Sequence, residues 1–253
     1  MDAGGSIGGD ASIIMCLSAA HVGDDLEDDV RRCELLKELV RHGADVNAQG
    51  QTQKTAFMVA AEHGFLNCLQ FLTASGADLT ITAEDQETAL TLAVKNGKAG
   101  CVKYLADRLS ASMLNHKNDD EKTAPMIAAS RDGLNIEALL LAAAGADVNV
   151  EGQNGYTALM FALMDRCSET ALLLLKRGAS ISTITSAGHT PLTMSRRDKD
   201  VLRLLHHGPD PTRSRTDRYW VHQIDCRWRY RACPARDIGK RFPAARSRLF
   251  ASR

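Results

Sequence analysis

The residues best suited to chemistry in this 253-residue chain are seven cysteines and eight histidines, and their spacing argues against a built site. Cys16, Cys33, Cys68, Cys101, Cys167, Cys226 and Cys233 form no C-x-x-C pair. An odd, widely spread set reads as reduced thiols rather than a disulfide framework. His222, Cys226 and Cys233 offer only three zinc ligands, and a cysteine spacing of seven does not suit a knuckle. Cys68 and Cys101 lie 33 residues apart, and they read as small core residues of a helix sooner than as redox sensors. The acidic run Asp24–Asp29 could dock a basic partner. It lacks the D-x-D-x-D-G spacing of a calcium loop and reads as a solvated loop. Ser, His and Asp are scattered, with no G-x-S-x-G, phosphate-binding loop, HExxH, kinase signature or dinucleotide fingerprint. No catalysis, cofactor or metal is expected.

Composition points the same way. Hydrophobic residues make up 44% and aromatics only 5%, so the core must be built from Leu, Ala, Val, Ile and Met, a set that suits close-packed helices. The net charge of zero hides a division. From Pro211 onward twelve basic residues face three acidic ones, a balance of +9, which leaves −9 on Met1–Asp210. The opening MDAGGSIGGD has no apolar leader, and Asp2 stands where myristoylation needs glycine. The longest apolar stretch, Ala138–Ala146, is too short for a bilayer. A cytoplasmic location is expected, with the nucleus also open.

The elements emerge from a repeat. Thr followed by Ala or Pro and an apolar, Ala-rich run recurs at Thr55 (TAFMVAA), Thr88 (TALTLAV), Thr123 (TAPMIAA), Thr157 (TALMFAL) and Thr190 (TPLTMS), with spacings of 33, 35, 34 and 33. A second word keeps the same phase at Gly43 (GADVNA), Gly76 (GADLTI), Gly145 (GADVNV) and Gly178 (GASIST), with a copy missing near Leu109 and a degraded one at Gly208. Within Thr55–Ile81, Thr55 predicts a helix N-cap. Phe57, Val59, Ala60 and Ala61 then make a short apolar helix ending at Gly64, and Leu66, Leu69, Phe71 and Leu72 a second ending at Gly76. Ala77–Glu87 then reads as an extended turn. Helices of about ten residues are unstable alone, so each must bury a face on its neighbour.

Period and words resemble the ankyrin repeat, whose pattern is T-P-L-H-x-A with a G-A-D-V-N end. The tetratricopeptide repeat has a similar period, but its Trp, Tyr and Pro landmarks are absent. The resemblance implies an all-α helix-turn-helix solenoid with short hairpin-like turns. About six repeats are expected over 12–211, the first and last irregular, after a flexible 1–11. The tail 212–253 changes composition abruptly and reads as disordered or as sequence beyond the true coding frame. In the family the motif histidine ties neighbouring turns. Met58, Thr91, Met126, Met160 and Thr193 replace it here, which predicts a looser array with soft methionine packing. In the first repeat Ala19, Ala20 and Gly23 match a first helix, DDLEDD sits in an insertion, and Cys33–Arg41 is the second helix. In the third, the missing Gly predicts a second helix running on to about Leu114.

By the same resemblance, turn tips and first helices line a concave binding face. Its expected residues are Gln51, Gln53, Glu62, His63, Glu84, Asp85, Glu87, Lys95, Lys117, Asp119, Arg131, Glu151, Gln153 and Asp165. The tips are acidic and polar on balance, so the expected partner is a protein with a basic or polar segment. The chain reads as a monomeric, non-catalytic interaction scaffold. Two alternatives stand beside this: a targeting fragment of a larger signalling enzyme such as a kinase or ubiquitin ligase, or a nucleic-acid-associated factor working through the Arg-rich tail.

Overall fold

Threonine hydroxyls, left-handed glycines and runs of small apolar residues set the helix ends and faces. The computed structural model describes residues 26–131, 141 and 144–195, all within one compact unit, Met1–Asp198. The element order is α1 (Leu26–Arg41), α2 (Ala56–His63), α3 (Leu66–Ala74), α4 (Ala89–Lys95), α5 (Ala99–Ala106), the single turn α6 (Ala111–Leu114), α7 (Ala124–Ala129), α8 (Ala158–Met164), α9 (Ser168–Lys176) and α10 (Pro191–Met194). The matches at Ala19, Ala20 and Gly23, the second helix expected after α7, the chain after Ser195 and the tail with its cysteines lie outside the described residues.

Helix α2 shows how a unit closes. Thr55 Oγ1 accepts from the Met58 N–H at 3.3 Å, satisfying one free donor of the first turn. Gly64, at φ 90°, ends the helix with its N–H on Ala60 O. Between these caps Ala56–Ala61 are all buried. Ala89–Val94 in α4 and Ala124–Ala129 in α7 are buried in the same unbroken way. A helix apolar all round must be covered on every side. Here α2 packs on α4, α4 on α7, α7 on α8 and α8 on α10. The second helices bury one stripe only: Cys68, Leu69 and Leu72 in α3, and Cys101, Val102, Leu105 and Ala106 in α5. They form an outer row in which α1 packs on α3 and α3 on α5.

Between successive units runs a hairpin closed by the same backbone bond each time. The N–H of residue 50 donates to the carbonyl of 54, and the bond recurs for 83 and 87, 118 and 122, 152 and 156, and 185 and 189. Asparagine lashes these hairpins together. Asn47 Oδ1 accepts from Asp78 N–H (2.8 Å), Asn115 from Asp147 N–H (2.8 Å) and Asn149 from Ser180 N–H (2.6 Å). Asn115 keeps the phase of the second word in the one repeat where its glycine is lost. Neighbouring hairpins are thus tied by asparagine, a tie separate from the one the missing motif histidine would make. Two of the replacements also bond locally: Thr91 with Thr88 and Thr193 with Thr190 form reciprocal capping boxes. Met58, Met126 and Met160 do pack in the core.

Two further expectations are corrected. Helix α1 begins at Leu26 rather than Cys33 and is 16 residues long, so the end of the acidic run is helical. Asp29 is buried, and its carboxylate accepts from the N–H groups of Asn67 (2.9 Å) and Cys68 (3.3 Å). Helix α3 has no side-chain cap of its own at Phe65, so an acid from the preceding unit caps it and complements its dipole. Helix α5 stops at Ala106, and Ser110 in extended conformation starts α6. On an uninterrupted helix Leu114 would lie about 180° from Leu105 and face solvent. The break lets both be buried.

Candidate protein-binding groove

The first four hairpin tips turn through a left-handed residue that is not glycine, Gln53 (φ 54°), Asp85 and Gln86 (60° and 55°), Glu121 (55°) and Asn154 (59°), and the fifth through Gly188 (78°). Such backbones throw the adjoining side chains outward. Gln51, Gln53, Glu84, Asp85, Lys117, Asp119, Glu151 and Gln153 are accordingly exposed, as expected of tips. Neighbouring tips touch, with Asp119 N–H donating to Asp85 O at 2.9 Å.

Between the tips and the first helices of three successive repeats lies an open groove of about 630 Å³. It gathers Glu62, Glu84, Asp85, Glu87, Lys95 and Arg131, over a floor that includes Leu92 and Ile127. The remaining expected residues do not line it. His63 is held by the fold, with Nδ1 3.0 Å from Val59 O and its ring stacked on Phe65. Asp165 is exposed at the end of α8.

Much of the groove's charge is internally neutralised. Lys54 pairs with Glu62 at 2.7 Å, Lys95 pairs with Glu87, and Lys122 lies 3.8 Å from Asp120; Arg131 donates to the uncharged Lys95 O. The rim differs. Among the described residues, the exposed carboxylates Glu84, Asp85, Asp119, Glu121 and Glu151 make no ion pair; the first two line the groove, and the other three stand on the next two tips, where Lys117 is also exposed and unpaired.

Glu87 is not a tip residue. It is only 5% exposed, and Oε1 accepts from Lys95 Nζ and from Asn118 Nδ2 (2.9 Å) of the next hairpin. Burial pushes its carboxyl up, but the side chains of Lys95, Thr91 and Asn118 beside it outweigh that and hold it below the ordinary carboxylate range. Reading Glu87 as a turn-tip residue missed this. The clue was the reversed pattern of the previous repeat, where Lys54 and Glu62 stand at the same spacing as Glu87 and Lys95. The asparagine lashings were also missed, although Asn47, Asn115 and Asn149 recur in phase.

Cys33, Cys68, Cys101 and Cys167 are buried and form no disulfide. Burial pushes the Cys101 thiol up to about 11, away from thiolate reactivity. No cluster of His, Cys, Asp and Glu there could hold a metal, and no helix there is long and apolar enough to cross a membrane.

Short helix pairs stacked through wholly buried first helices, with hairpins laced edge to edge, define a helical-repeat binding module. The chain belongs to the ankyrin-repeat family: a model described as ankyrin repeats (3 copies) matches residues 29–118, 67–152, 108–185 and 126–215. Among solved structures, an ankyrin repeat domain from Acinetobacter baumannii AYE shares the fold at 24% identity and a TM-score of 0.65, covering 76% of this chain and 95% of that one. The ankyrin repeat domain of Bcl-3, a member of the IkappaB protein family, is 27% identical with a TM-score of 0.63, covering 68% of this chain and 76% of that one. Comparison with curated proteins gives no match. Ankyrin repeats are in general protein–protein interaction modules, typically without catalysis of their own.

Proposed function

We propose that this protein is a non-catalytic adaptor that holds a basic or polar segment of a partner protein along the groove and its acidic rim. The observation that carries the reading is the excess of unpaired carboxylates over the unpaired Lys117 along three tips, Glu84, Asp85, Asp119, Glu121 and Glu151, the first two of which line a groove that crosses three repeats. Unpaired surface charge of one sign steers an opposite charge and selects against like-charged partners. Four buried cysteines outside any disulfide accord with a reducing compartment such as the cytoplasm.

The test is affinity capture with the full chain against a variant carrying Glu84→Lys, Asp85→Lys and Asp119→Lys. All three side chains are exposed, so the reversal leaves the core alone. Captured proteins should be lost from the variant, and capture by the native chain should weaken as salt rises above about 0.15 M. The same set of proteins held equally by both chains would remove the rim from the interface.

A further inference from the structure

The Glu87 carboxylate is only half used. Oε1 holds two donors, Lys95 Nζ and Asn118 Nδ2, while Oε2 is buried and has none. A carboxylate has room for about four hydrogen bonds, and a buried charged oxygen without a donor is unfavourable. This residue stands in the groove behind Glu84 and Asp85. The reversed pair of the preceding repeat is no equivalent, because the Glu62 side chain is 26% exposed and water reaches it. Glu87 thus joins burial, charge and unmet acceptor capacity inside the groove.

The shortfall reflects what a lysine can do. An ammonium is a compact point charge that satisfies one oxygen here, whereas a guanidinium presents a planar fork that matches both. Lys95 is 42% exposed along its side chain, so its head group can move into water without disturbing the core. Leu92 and Ile127 make the adjoining floor apolar, which favours the more weakly hydrated cation.

We propose that Glu87 is the specificity-determining residue of the groove: an arginine side chain of the partner displaces Lys95 and grips both carboxylate oxygens. This rests on the groove being the seat of a basic segment and adds that it distinguishes arginine from lysine. Lys95 is then a placeholder that keeps the buried charge paired until the partner arrives.

Fluorescein-labelled hexa-arginine and hexa-lysine peptides, titrated with the full chain and read by fluorescence anisotropy, test this. The native chain should prefer hexa-arginine by about tenfold, the worth of one added hydrogen bond to a charged group. Lys95→Met should widen the preference, by removing the placeholder. Lys95→Arg should narrow it, by filling both oxygens from within at unchanged net charge. Glu87→Gln should abolish it while leaving the weaker, rim-dependent binding of both peptides. If Glu87→Gln fails to fold by circular dichroism, the two Lys95 variants decide alone. Equal binding of both peptides, or a preference that neither Lys95 variant alters, overturns the arginine assignment and leaves the basic-segment reading standing. No binding of either peptide overturns both.

Discussion

Gly152 lies where two hairpins press together. A Cβ there would meet Glu121 O at 2.7 Å and Met126 Sδ at 3.0 Å, and the first of these is backbone that cannot step aside. Gly152→Ala should therefore lower the stability measured by urea unfolding by about 1–3 kcal/mol, the usual cost of overpacking. Gly76→Ala has open space around it and fails only through its φ of +88°, so its cost should stay near 1 kcal/mol. A threonine contrast makes a second test. The hydroxyls of Thr123 and Thr157 are buried without a partner, whereas that of Thr55 caps its helix. Thr123→Val should be neutral or stabilising, and Thr55→Val should cost about 1 kcal/mol. Equal effects would mean the two hydroxyls are not in different states. Glu87 supplies a pH test. Its carboxyl is held below the ordinary range when folded, so it stabilises the fold above its unfolded value of about 4.3 and stops doing so as pH falls through the folded one. The stability gap between the native chain and Glu87→Gln should be widest near pH 7 and close on acidification. A gap that does not change with pH would refute the assignment.

At the scale of the element, the caps were legible and the exceptions were not. Thr55, Thr88 and Thr190 announced helix starts, and Gly64 and Gly76 announced stops, because each residue type answers a local backbone need. Asp29 answers a need 38 residues away, and nothing in DDLEDD distinguishes a capping acid from a solvated one. Its removal is informative for that reason. Asp29→Ala should destabilise by about 1–2 kcal/mol through the loss of a cap. It should also speed amide exchange at Asn67 and Cys68 before the rest of α3. Asn115→Ala should act likewise on the Asp147 amide. The run from Ala99 to Leu114 misled for another reason: no breaker appears, yet burying Leu114 requires a break, a demand of packing rather than propensity. The cysteine column was read correctly as core. Cys101, found by peptide mapping, should resist thiol reagents until the chain unfolds.

For the whole molecule, the phase of two short words was enough to give the architecture. The candidate groove was only partly legible. Six of the fourteen expected residues line one groove, and several more stand on its tips, because repeat phase places tips reliably. Phase does not say which of these side chains the fold also uses for itself, as it does Glu87 and His63. Net charge concealed the same distinction, since pairs such as Lys54 with Glu62 cancel within the groove while the rim carboxylates do not. The hydrogen-bonded ties between units carry a kinetic consequence. Asn47 reaches 31 residues along the chain, Asn115 reaches 32, and Asp29 reaches no further than 39. Chains whose contacts are this local close small loops and order quickly. A nascent polypeptide of this kind need not wait for its far end: once two units have left the ribosome, every partner of the earlier one is already present.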